Sequence, residues 1–159
     1  MNEFLLLKYV HIISSVVLVG VGFGSAFYLY FIHRTRSVAA ITEVSRLVVR
    51  ADFWFTTPAV IIQPVTGFWM VSMSGYAYTE NWLMMSYALF VLAGICWLPV
   101  VWLQMRMASM ACGAAQNGHD LPEKYWCYTW WWAALGMIAF PAMLVIFALM
   151  VFKAELLSG

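Results

Sequence analysis

The sequence predicts an all-α protein, an integral membrane four-helix bundle with its N- and C-termini on the extracytoplasmic side. Three observations lead there. Of 159 residues, 65% are hydrophobic and 9% charged, whereas a soluble domain carries about a quarter charged residues. The charge-free runs Tyr9–Ile32, Phe53–Thr79, Asn81–Met105 and Tyr125–Phe152 each exceed the roughly 20 residues a helix needs to cross about 30 Å of hydrocarbon. The basic residues are unevenly distributed: Arg34, Arg36, Arg46 and Arg50 separate the first two runs, Arg106 and Lys124 the last two, and the loop from Gly75 to Asn81 has none. Positive charge marks cytoplasmic loops, so both basic loops are expected inside and both termini outside. The expectation is one multi-pass domain over residues 1–159 with spans at about 5–32, 53–75, 82–105 and 126–152, in the plasma (inner) membrane of a bacterium and in contact with its lipid.

The first span is too long for the apolar core of a signal peptide, about 7–15 residues, so it should remain as an anchor. On a helical wheel His11, Ser15, Leu18, Gly22, Ser25 and His33 share a face. Polar and small residues gathered on one side of a span turn away from lipid, which points this face into the bundle. Gly20 and Gly24, a GxxxG pair, lie on the other side and suit a second helix or a second copy of the chain, a homodimer. His11 and His33 are separated by about 33 Å along the axis and cannot share a metal; beside Arg34 and Arg36, His33 is expected to be solvated or to contact phosphate.

Before the second span, Ser37–Asp52 spaces its apolar residues as a helix does and reads as an extension of that span. Pro58, Pro64, Pro99 and Pro141 each remove a backbone hydrogen bond within a span. Thr56, Thr57, Gln63 and Thr66 are available to satisfy the freed carbonyls, so the second span should be kinked and packed inward. Tyr125, Trp126, Tyr128 and Trp130–Trp132 at one end, with Trp69, Tyr76, Tyr78 and Trp82 at the other, read as interfacial belts. Cys96, Cys112 and Cys127 have no CxxC partner, and His119 falls in a polar turn.

No phosphate loop, nucleophile motif or metal-binding helix pair is present. The carboxylates Glu3, Glu43, Asp52, Glu80 and Glu155 are scattered at span ends, and Asp52 is expected to face water or Arg34 and Arg36. His11 is thus the one ionisable side chain inside a span. It is either a structural imidazole bonded to a carbonyl or serine, or an axial ligand to haem b, for which a neutral imidazole beside small residues is suited. Matching depth, Gly67 and Met70 of the second span and Met143 of the fourth lie opposite it, so the candidate cofactor site is His11, Ser15, Gly22, Gly67, Met70 and Met143. Thioethers prefer copper(I), so Met70, Met73, Met84 and Met85 with His11 form an alternative copper(I) site.

Lys8-Tyr-Val-His-Ile-Ile-Ser14 opening the first span, the aromatic Tyr28–His33 end, Gly67-Phe-Trp69 and Trp82-Leu83 resemble the four-helix, haem-dependent protoporphyrinogen IX oxidase family. That resemblance implies a haem ligand at His11. It does not extend to the activity, because the family uses a lysine shortly after the Trp-Leu, where this chain has Ser86. Thr56-Thr-Pro-Ala-Val-Ile-Ile-Gln-Pro-Val-Thr-Gly67 and Cys96-Trp-Leu-Pro-Val-Val-Trp-Leu-Gln104 are more similar still to a group of four-helix predicted integral membrane proteins, domain of unknown function 2269, over nearly the whole chain. The copper-resistance membrane domain is a more distant likeness. Three functions follow as expectations: a haem-binding protein of electron transfer or porphyrin-linked redox chemistry with a membrane redox partner, a copper(I)-handling protein, or a non-catalytic membrane subunit.

Overall fold

The computed structural model describes residues 2–153, which leaves Glu155 outside the described residues. These residues form four helices and no strand. Helix α1 is Glu3–Arg34, capped by Asn2, whose side chain accepts from the Phe4 N–H. Helix α2, Val38–Ala51, continues through a π-helical turn, Asp52–Thr56, into α3, Thr57–Ser74, so the three make one rod. Helix α4, Asn81–Asn117, and helix α5, Glu123–Phe152, complete the bundle.

Three of these four helices, α1, α4 and α5, are long and apolar enough to cross a membrane. The rod containing α3 is not among them, because Thr57, Gln63, Thr66 and two prolines dilute its apolar residues. The π turn has a local cause: Pro58 has no N–H to close an α-helical bond, and the Thr57 N–H reaches instead to the Asp52 carbonyl, five residues back. The Thr57 hydroxyl donates to the same carbonyl at 2.9 Å. The expected extension ahead of the second span is therefore present as α2.

Helix α4 runs well past Met105, the expected end of the third span. Arg106 is an isolated charge followed by Met107–Ala115, residues that favour helix, and the helix stops only at Gly118, whose φ of 66° is readily adopted by glycine. Its extra turns give α2 a partner. Ile41 and Val48 of α2 pack with Leu29, Leu103, Met107, Ala111, Tyr125 and Trp132 into a dense core at the end of the bundle that carries the basic loops. At the opposite end Val71, Trp82, Leu83 and Leu149 form a smaller core.

Two expectations about side chains are corrected. Trp82, Tyr125 and Trp132 are core residues rather than belt residues, because the helix faces that carry them turn inward; Trp69, Trp130 and Trp131 remain exposed. His33 is not solvated: it is buried, 2.8 Å from the Tyr125 hydroxyl and edge-on to Trp126. Helix α5 covers it. Arg36 instead lies over Trp126, 4.1 Å from its ring centroid.

Candidate functional site

Helices α1 and α3 are joined by a polar seam. The Gln63 amide nitrogen donates to the His11 carbonyl at 2.8 Å and to the Ser14 hydroxyl at 2.7 Å, using both of its protons. Ser14 also donates to the His11 carbonyl at 3.1 Å. One turn along α3, Thr66 Oγ1 lies 2.8 Å from His11 Nδ1. Four polar side chains inside an apolar bundle thus bond to one another across two helices.

The roles in the His11–Thr66 bond depend on the imidazole tautomer. Thr66 has one hydroxyl proton, and its oxygen is also 2.7 Å from the Ile62 carbonyl and 3.2 Å from the Gln63 carbonyl. With that proton on the Ile62 carbonyl, the Thr66 oxygen accepts from His11 Nδ1–H. A neutral imidazole protonated on Nδ1 has a bare lone pair on Nε2. No protein group hydrogen-bonds to Nε2 among the described residues. Gly67 completes the setting, since a Cβ added there would touch His11 Cε1 at 3.4 Å.

The candidate site residues are split by the fold. His11 and Gly67 are together. Gly22 and Met143 are also together, but they line a separate cavity of about 390 Å³ between α1, the π turn with the start of α3, α4 and α5, of which His11 is not a wall. Ser15 joins neither group, because its hydroxyl turns back to the Ile12 carbonyl at 2.7 Å; the serine in the seam is Ser14, one position away on the wheel. Met70 lies one turn beyond Thr66 on α3 and is half-buried. Met73, Met84 and Met85 are exposed. Among the described residues no group of three or more His, Cys, Asp or Glu side chains is placed to hold a metal ion.

The wheel reading missed Thr66, Gln63 and Ser14 as partners of His11. The signal was present as three polar residues of α3 and α1 in otherwise apolar spans, but a pairing between helices is invisible on one wheel.

Asp52 is also corrected. It faces neither water nor Arg34 and Arg36; it is 5% exposed, and its carboxylate accepts from Thr56 at 2.7 Å. The π turn rotates Asp52 and Thr56 inward and leaves Phe53, Trp54 and Phe55 exposed.

No curated protein and no solved structure matches the chain. A family model does, over residues 5–154, and its description, predicted integral membrane protein, agrees with the three span-length apolar helices. With nearly the whole chain matched, the protein belongs to the DUF2269 family of predicted integral membrane proteins.

Proposed function

We propose that this membrane protein binds haem b through Nε2 of His11 and serves electron transfer or porphyrin-linked redox chemistry. One observation carries the proposal: His11 Nδ1 lies 2.8 Å from Thr66 Oγ1, and with the Thr66 proton on the Ile62 carbonyl, 2.7 Å away, His11 donates from Nδ1 and presents Nε2 as a lone-pair donor. Metal-ligating histidines are typically held this way, the second ring nitrogen donating to an oxygen that fixes tautomer and orientation. Iron held there would supply one-electron chemistry. The chain's contribution is positional. Gln63 grips the His11 carbonyl, Thr66 grips its ring, and Gly67 leaves the Cε1 edge uncrowded. Met70, a turn from Thr66, is better placed than Met143 to act as a second ligand, since Met143 faces the separate cavity.

The same nitrogen suits copper(I), with the Met70 thioether nearby, and this is the second reading. We place α3 across the membrane as the fourth span, the basic loops in the cytoplasm of a bacterial inner membrane and both termini outside. The Gly20 and Gly24 face is free of the chain's own side chains, apart from Tyr28 beside Gly24, and is the surface proposed for a second copy or a redox partner.

The test is the absorption spectrum of the detergent-solubilised protein purified from haem-replete cells. A Soret band lost in His11→Ala supports haem; its absence from the unmodified protein overturns the proposal. Elemental analysis showing copper abolished by the same substitution would favour the second reading.

A further inference from the structure

The cavity that Gly22 and Met143 line has no part in the seam. Its volume, about 390 Å³, lies within the range of roughly 300–1,000 Å³ typical of small-molecule sites. Three glycines from three helices, Gly22, Gly94 and Gly136, line it, and a Cβ added to any of them would meet nothing within 4 Å. The space is therefore real room left by absent side chains. Much of the remaining wall is aromatic: Phe23, Phe90, Trp97, Trp132 and Phe140, with Phe23 and Phe140 meeting at 5.5 Å across one side.

At the basic end of this cavity lies Asp52. It is 5% exposed, its carboxylate accepts from Thr56 and is approached by the Gln104 amide, and among the described residues no lysine or arginine pairs with it. The ion pair that does form among the described residues, Arg46–Glu43 at 3.6 Å, is on the exposed face of α2. Gln104, also a wall residue and 5% exposed, has a side-chain carbonyl with no hydrogen-bond partner. An apolar, aromatic pocket, open on the side where Phe23, Tyr30 and Met137 are exposed, thus ends in a carboxylate without a countercharge among the described residues, next to Gln104. Burying such a carboxylate is costly, and ionisable groups retained within a membrane bundle mark ligand or ion pathways. The π turn that directs Asp52 inward is of a kind that recurs at functional sites.

We infer that this cavity binds a lipophilic monovalent cation, its charge against Asp52 and Gln104 and its apolar body among Phe23, Phe90, Trp97, Trp132 and Phe140. The cation supplies the missing countercharge, and aromatic faces attract cations as well as apolar groups. A metal ion is a poorer occupant, because most of the wall offers it no oxygen. A neutral lipid would leave the carboxylate uncompensated.

The experiment is equilibrium dialysis of the full solubilised chain against radiolabelled tetraphenylphosphonium, with tetraphenylborate, of the same shape and opposite charge, as comparison. Saturable binding of the cation is expected, weakened about tenfold or more in Asp52→Asn, with little binding of the anion. Gly136→Leu, which fills the pocket from α5 and leaves the Asp52 carboxylate in place, is expected to abolish binding, and guards against an Asp52 variant that fails to fold. His11→Ala is expected to leave the affinity unchanged, which separates this site from the proposed haem ligand. Equal binding of both ions, non-saturable uptake, or undiminished affinity in Asp52→Asn or Gly136→Leu would overturn the inference.

Discussion

Helix α1 borders two regions of opposite character. Its His11–Ser14 stretch closes on α3, where Gln63 uses both amide protons and Thr66 meets His11 Nδ1. Its Gly22–Ser25 stretch, farther along the helix, opens on the cavity, where Asp52 has no countercharge and, among the described residues, the Gln104 carbonyl and the indole nitrogens of Trp97 and Trp132 have no hydrogen-bond partner. Polar groups in the first region hold two helices together and leave His11 Nε2 as a spare nitrogen. Those in the second are held in place by surrounding packing and leave bonding capacity unused. Within a membrane bundle, polarity alone therefore does not identify a site; the useful quantity is the number of donors and acceptors left over after the protein has bonded to itself.

That contrast can be broken most directly at Gln63. Replacement by leucine strips two interhelical bonds and leaves the Ser14 hydroxyl to serve alone, so a loss of about 2–3 kcal/mol is expected, against less than about 1 kcal/mol for Asp52→Asn, which removes a charge without a countercharge. Reversible unfolding in mixed micelles measures both; similar losses at the two positions would erase the distinction. Next in size is Thr66→Val, which leaves His11 Nδ1–H without its acceptor. If Nε2 is a metal ligand, affinity should fall by about 10- to 100-fold, read by titrating haem into the stripped protein.

Tyr125→Phe tests the dense end against the hollow middle. It orphans His33 Nε2 in a tightly packed core, and about 1–2 kcal/mol of stability should be lost. The smallest effect is expected at Gly94→Ala, where the methyl enters open space and the helix gains propensity, raising stability by up to about 1 kcal/mol. At Gly67 a valine would instead press on the His11 ring, and a net loss is expected there under the same unfolding conditions. A gain at both glycines would mean that the seam is looser than its bond lengths imply.

How much of this was legible beforehand differs by element. Helix α1 and helix α5 follow from uninterrupted apolar runs, since backbone groups in hydrocarbon must bond within their own segment. Helix α4 continues about three turns past the expected end of the third span at Met105, because alanine-rich sequence beyond Arg106 continues to favour helix. Matching depth pairs His11 with Gly67, and the two do meet, whereas Gly22 and Met143, expected on the same site, line a separate cavity, and Ser14 rather than Ser15 enters the seam. A wheel ranks faces by angle; it carries no information on which neighbour each face meets.

Composition and charge-free run length by themselves determined a helical membrane protein, because the energetics of an apolar medium act on each span independently. Tertiary structure alone decided the pairing of His11 with Thr66, the burial of His33 under Tyr125, and the inward turn of Asp52. Each depends on a contact between residues 55 and 92 positions apart in the first two cases, and on a proline-induced π turn in the third. Such bonds are set by which helices pack together, a property that no single span contains.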